Sequence, residues 1–293
     1  PLYAYCALGW ADEAGFVVPA ERVDPDVRQD HDQYDSSQID RRGREMKLRY
    51  PKNRLASHLM NNCLLTYNCP AARNFAFERW EMPLPTAPKC NSRCFGCISQ
   101  QPKKGFAISQ QRLDFVPTAE EIAGIAIPHL EKAERPVASF GQGCEGEPLT
   151  NPELLEEAIR AIRAATSRGT INLNTNGSLP GAVEKLFGAG LDSIRVSINS
   201  LKPDWYTRYY APQGYSFEDV LETLRVAARK KKFCSLNYLV FPGITDAASE
   251  VEAFLNVLRN IPVDMIQWRN LNIDPDEYLD YLEADPDEER IGI

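Results

Sequence analysis

From Pro117 onward the chain alternates two kinds of hydrophobic spacing. Short runs with period-two alternation predict strands at 136–141, 170–175, 193–198, 233–240 and 263–268. Between them lie amphipathic stretches with recognisable helix starts. Thr118-Ala119-Glu120-Glu121 is a capping box after Pro117, and Asn151 precedes Pro152 as an N-cap before a first-turn proline. Ser216-Phe217-Glu218-Asp219 opens another helix and Asp246 a further one. Strand–helix repetition calls for a parallel sheet with right-handed crossovers. With a first strand at 83–88, six strands form an α/β fold, a partial (β/α)6 TIM barrel over 81–273.

Residues 1–80 read as an N-terminal α+β extension. Segments 2–10 and 16–23 can pair as a hairpin around 12–15. Segment 29–44 is dense in Asp, Arg and Gln and reads as a loop or polar arm, whereas 55–65 and 71–80 are apolar enough to be helices packed on the barrel. Segment 274–293 is an acidic C-terminal tail, expected to lay a helix carrying Tyr278, Leu279, Tyr281 and Leu282 on the barrel and then to end in solvent.

Composition adds constraints. The 293 residues, 43% hydrophobic and 25% charged, suit an ordinary globular protein with a buried core. No apolar run is long enough for a membrane helix. A net charge of -8 disfavours nucleic acid as the default partner. Eight clustered cysteines in so long a chain favour metal binding in a reducing compartment over a disulfide framework, so a cytoplasmic protein is expected. The opening on Pro1, without a methionine, reads as initiator removal or as a trimmed fragment.

The chemistry concentrates in Lys89-Cys90-Asn91-Ser92-Arg93-Cys94-Phe95-Gly96-Cys97. Cys90, Cys94 and Cys97 put three thiolates on one short segment, one fewer than closed zinc or iron–sulfur sites use. A four-iron cluster held by three thiolates keeps one iron open. The spacing resembles that of the radical S-adenosylmethionine (radical SAM) superfamily. The resemblance implies a 4Fe-4S cluster whose open iron binds S-adenosylmethionine, reductive cleavage to a 5′-deoxyadenosyl radical, and hydrogen abstraction from a substrate. It also implies an electron donor of the flavodoxin or ferredoxin kind. The family's aromatic residue before the third cysteine is replaced here by Gly96, with Phe95 one place earlier.

Further resemblances sit at predicted strand ends. Gly146-Glu147-Pro148 looks like the family's Gly-Gly-Glu-Pro element, which binds the cofactor's amino group; Glu145 stands in the first glycine's place, and a plain tight turn is the alternative. Asn172, Asn174 and Asn176 share one face of their strand, as do Arg195, Ser197 and Asn199 of the next. By the resemblance Asn174, Asn176, Ser197 and Asn199 line the cofactor site; a water-filled polar lumen is the other reading. The turn Phe241-Pro242-Gly243 resembles the family's adenine-binding turn, and Asn237 and Gln267 complete a polar interior. Arg269 either holds an anionic substrate group or pairs with Asp274 or Asp276 at the surface. Cys144 is a substrate-facing group or a small filler, Cys63 and Cys69 are candidates for an auxiliary cluster, and Cys6 and Cys234 read as core. His31, His58 and His129 form no motif. Lys89, Arg93, Lys103 and Lys104 flank the cysteine loop and suit an acidic electron carrier, whereas Arg229-Lys230-Lys231-Lys232 ends a helix on the opposite face. The substrate is left open between a peptide or protein and a small metabolite. A non-catalytic zinc or iron–sulfur protein, with Cys69 or Cys144 as fourth ligand, is the rival reading.

Overall fold

In a computed structural model of the chain, residues 9–12, 15–17, 34–100, 108–271 and 273–292 are described. Strands β1 (Gly9–Ala11) and β2 (Gly15–Val17) pair antiparallel with Trp10 opposite Phe16, the middle of the expected hairpin. Its outer parts, with Cys6, lie outside the described residues, as do 29–33 of the polar segment, including His31.

The rest of that polar segment is corrected: Ile39–Arg49 is a helix, α1, not a loop. Its many charges conceal a narrow apolar stripe in which Gly43 and Met46 are buried and Ile39 packs on the core. Asp35 accepts from the Ser37 N–H at the turn before it, and Arg41 pairs with Glu45 one turn on (3.1 Å). Helix α2 (Arg54–His58) runs into a π-helix, Leu59–Thr66, and α3 (Pro70–Ala76) follows. The expected helix at 71–80 stops early because Glu78 turns left-handed (φ 54°), and strand β3 starts at Arg79 and ends at Leu84.

The barrel continues as α4 (Ala119–Lys132), β4 (Glu134–Phe140), α5 (Pro152–Ala165), β5 (Thr170–Thr175), α6 (Pro180–Ala189), β6 (Ser193–Ile198), α7 (Pro203–Tyr210), α8 (Phe217–Arg229), β7 (Phe233–Val240), α9 (Ala248–Asn260), β8 (Met265–Asn270) and α10 (Pro275–Leu282). Strands β3 to β8 pair in sequence order, all parallel. Both capping boxes form, at Thr118–Glu121 and Ser216–Asp219. Helix α9 starts after Ala247, not at Asp246, whose carboxylate instead accepts from the Gly243 N–H (2.6 Å).

One strand face is apolar: Ile171, Leu173, Ile194, Val196 and Leu236 are fully buried under the helices. The other face is polar and concave. The extension is tied to the barrel by Arg54, which grips the Glu121 carboxylate through Nε (2.8 Å) and Nη2 (2.7 Å). Tyr278 and Leu282 of α10 are buried as expected. The tail does not then run free, because Arg290 bridges to Ala247 and the Ile291 N–H donates to the Asp246 carbonyl (2.9 Å). No described helix is long and apolar enough to cross a membrane.

Candidate metal and cofactor site

The cysteine loop leaves the carboxyl end of β3, where ligands bind in parallel barrels. It has no helix or strand of its own, so its shape comes from three neighbours. The glycine-rich loop after β4 is the first. The Gly146 N–H donates to the Ala87 carbonyl (2.6 Å) and the Glu147 N–H to that of Lys89 (2.9 Å). A Cβ on Gly146 would overlap the Lys89 carbonyl, so glycine is required there for close approach. Glu145 reaches back with its side chain, and its carboxylate accepts from the N–H groups of Thr86 (2.7 Å), Ala87 (2.9 Å) and Gln142 (2.7 Å).

The end of β5 is the second support. Asn176 donates through Nδ2 to Asn91 Oδ1 (2.8 Å) and Ser92 Oγ (3.0 Å). The Glu147 carboxylate fixes it there, accepting from the Asn176 N–H (2.8 Å), Thr175 Oγ1 (2.6 Å) and the Leu149 N–H (3.1 Å). The end of α7 is the third: the Tyr210 and Tyr209 carbonyls accept from the N–H groups of Arg93 and Phe95, each at 2.9 Å. Ser92 Oγ also meets Tyr215 Oη at 2.7 Å, which in turn lies 3.2 Å from Tyr206 Oη.

Cys90, Cys94 and Cys97 all open onto one cavity of about 1030 Å³ on the concave face of the sheet. The inward residues lie in layers. At the floor Asn172 joins Ser139 and Ser193 (both 2.8 Å), so this layer satisfies itself. Above it, Asn174 donates to the Phe140 carbonyl (2.9 Å) and accepts from Arg195 Nη1 (3.1 Å). Ser197, Asn237 and Gln267 then stand in register across β6, β7 and β8. Asn237 Oδ1, Gln267 Oε1 and Arg195 Nε are buried without a hydrogen-bond partner among the described residues. A buried polar group left so costs about 1–3 kcal/mol, which a polar ligand in the cavity would recover.

The electrostatics point the same way. Burial, then the charge of Glu147, pushes the Cys90 thiol up. Burial, then the charges of Cys97 and Cys90, pushes Cys94 up much further. Cys90 and Cys94 thus resist ionising together unless a cation takes their charge, and with Cys97 on the same short loop the donor set fits an iron–sulfur group. Burial also raises the carboxyls of Glu145 and Glu147 to about 7 against their backbone donors. Arg269 lines the cavity, its pKa lowered by burial and then by the charge of Arg195; neither Asp274 nor Asp276 pairs with it.

Of the residues singled out in the sequence, Gly146, Glu147, Pro148, Asn174, Asn176 and Ser197 line the cavity with the three cysteines. The Glu147 and Asn176 side chains, however, are engaged in holding the loop. Asn199 does not line it; it is buried beyond β6 and donates to the Trp205 carbonyl (3.3 Å) and Tyr278 Oη (3.2 Å). Phe95 stacks on Tyr281 at 4.3 Å, and a Cβ on Gly96 would meet Tyr209 Oη at 2.9 Å. Phe241 packs edge-on against Tyr278 (4.8 Å) away from the cavity. Cys144 does not line the cavity; it is buried in the hydrophobic core, as a small filler would be, and lies there with Cys63 and His58. Lys103 and Lys104 fall outside the described residues. Sequence reasoning missed Arg112, whose Nη2 lies 3.7 Å from Cys97 Sγ, and the tyrosines of α7. The dense aromatic content of Trp205-Tyr206-Thr207-Arg208-Tyr209-Tyr210 was a visible signal for the latter; Arg112 had none.

Residues 84–258 match the Radical SAM superfamily. The chain is 28% identical over 183 residues to a GTP 3′,8-cyclase of Microcystis aeruginosa, covering 61% of this chain and 53% of that protein. It is 32% identical over 192 residues to a probable GTP 3′,8-cyclase of Methanococcus maripaludis, covering 62% and 59%. To the FeMo cofactor biosynthesis protein NifB of Klebsiella pneumoniae it is 27% identical over 183 residues, covering 57% and 38%. The chain thus spans little more than half the length of the cyclases it matches. Among solved structures it resembles native anSMEcpe with bound AdoMet at a TM-score of 0.50 and 16% identity, covering 65% of this chain and 52% of that one. That likeness is one of fold.

Proposed function

The chain belongs to the radical SAM superfamily, and on that footing we propose that it is an enzyme whose Cys90, Cys94 and Cys97 hold a 4Fe-4S cluster that works on S-adenosylmethionine. When bound and reduced by one electron, the group would supply reductive cleavage of the sulfonium and hydrogen abstraction from a substrate. The chain's own contribution is position and shelter. Glu145, Gly146 and Asn176 hold the loop in register with the barrel rim. Ser197, Asn237 and Gln267 offer polar groups on the opposite wall for the cofactor's amino and hydroxyl groups. Fixed acceptors of this kind orient a reacting carbon, which is the protein's main lever in cofactor chemistry. The observation that carries the reading is that three thiols of one loop face a cavity whose far wall has buried Asn237 Oδ1 and Gln267 Oε1 without a partner among the described residues.

Arg195 and Arg269 support an anionic substrate. Both line the cavity together with Arg112 and Arg135, Glu81 is the counter-ion of Arg195 among the described residues (3.5 Å), and burial and then the charge of Arg195 disfavour the Arg269 cation. Reduction is assigned to a flavodoxin- or ferredoxin-like carrier that meets the exposed Lys89 and Arg93 beside the loop.

The test is anaerobic reconstitution followed by metal analysis and a dithionite assay for 5′-deoxyadenosine. About four irons per chain and slow release of 5′-deoxyadenosine are expected. Cys90→Ala, Cys94→Ala and Cys97→Ala should each remove the iron and the product, whereas Cys234→Ala keeps both. Zinc as the sole metal of protein handled without oxygen would overturn the reading.

A further inference from the structure

A second group of metal-ligating side chains lies outside this cavity. The ligand atoms of His58, Cys63 and Cys144 all lie within 4.8 Å of one another. They come from separate parts of the chain: His58 ends α2, Cys63 sits in the π-helix that follows, and Cys144 belongs to the loop after β4. Cys63 and Cys144 are 1% and 2% exposed, and His58 Nε2 is buried with no hydrogen-bond partner among the described residues.

The backbone is shaped for this meeting. Residues five apart on a regular α-helix point roughly 140° away from each other at 3.6 residues per turn. His58 and Cys63 are five apart, yet they face the same point because the helix widens to π from Leu59, with the Tyr67 N–H donating to the Asn62 carbonyl five residues back (3.2 Å). Wide turns of this kind are frequent at functional sites.

We propose that His58, Cys63 and Cys144 bind one zinc-like divalent ion, with its fourth position open. Two thiolates and an imidazole are the donor set that soft, tetrahedral d10 ions take. Zn–S bonds of about 2.3 Å at tetrahedral angles set two sulfurs roughly 3.8 Å apart, within the spread seen here. A four-iron cluster takes one thiolate per iron and so needs its thiolates farther apart. The thiols release their protons to solvent as the ion binds. The ion would pin the extension to the loop that carries Glu145 and Gly146, on the side of that loop away from the first centre. The inference rests on this geometry alone and is independent of the activity proposed above.

The experiment uses the whole chain, purified and reconstituted without oxygen, equilibrated with zinc, desalted and analysed for both metals. One zinc per chain is expected beside the iron, and it should stay when Cys90, Cys94 and Cys97 are all changed to alanine. In that iron-free protein cobalt should replace zinc and give thiolate-to-cobalt charge-transfer absorption. Cys63→Ser, Cys144→Ser and His58→Gln should each weaken the ion's retention against a competing chelator on the order of a hundredfold or more, with far-UV circular dichroism retained. Absence of a second ion in the folded parent protein overturns the proposal even if every variant misfolds. So do a Cys63–Cys144 disulfide in the anaerobic protein, or additional iron and sulfide that depend on Cys63.

Discussion

At the scale of single residues, the glycines divide by what surrounds them. Gly146 is pressed against the Lys89 carbonyl one residue before Cys90, so Gly146→Ala must displace either the cysteine loop or the loop after β4. Iron retention after reconstitution should fall at least severalfold, measured as iron per chain against the parent. Gly188 makes the opposite case. It is exposed near the end of α6, with nothing within 4 Å of a built Cβ. Gly188→Ala should therefore raise stability by about 0.5–1 kcal/mol through helix propensity, read as a higher urea midpoint at an unchanged slope. Equal behaviour of the two variants would mean that the contact at Gly146 has no mechanical role. The same scale explains which site residues could be read in advance. Cys90, Cys94 and Cys97 were legible because all three thiols lie in one short segment. His58, Cys63 and Cys144 were not, because their meeting depends on a local widening of the helix and on a long-range contact that spacing does not encode.

Among the elements, the join between α2 and α4 is the one whose strength pH should control. Arg54 and the Thr118 N–H hold the Glu121 carboxyl at about 2, below its ordinary 4.5. The unfolded chain therefore binds more protons between these values, so the stability this carboxylate adds is fully present above pH 4.5 and is lost as pH falls toward 2. Arg54 is half exposed, and such a pair contributes about 1 kcal/mol. Glu121→Gln should lower stability by that amount at pH 7 and flatten the decline below pH 4.5, as urea titrations at both ends of the window would report. Unchanged acid sensitivity would show that the join contributes nothing. Elements with strong period-two patterns were also the ones the sequence specified well: β5, β6 and β7 have the expected bounds. Failures came where polar content masked a packed face, as in α1, or where a single left-handed residue, Glu78, decided a boundary.

For the molecule as a whole, basic side chains stand at both ends of the barrel in different settings. Lys89 and Arg93 are exposed at the end that carries the cysteine loop, whereas Lys230 follows α8 at the other end and already pairs with Glu184 (2.8 Å). Lys89→Gln with Arg93→Gln should slow reduction by an acidic flavodoxin several-fold at low salt, with the difference shrinking as salt rises. Lys230→Gln with Lys231→Gln should leave the rate alone; stopped-flow absorbance separates the two. Equal slowing by both pairs would refute entry at the loop end. The loop's three separate supports carry a wider implication. They use hydrogen bonds that the polypeptide makes by itself, so the receptacle outlasts its inorganic contents. Exposure to air would then strip the centre without condemning the chain, and the same molecule could be refitted many times over its life.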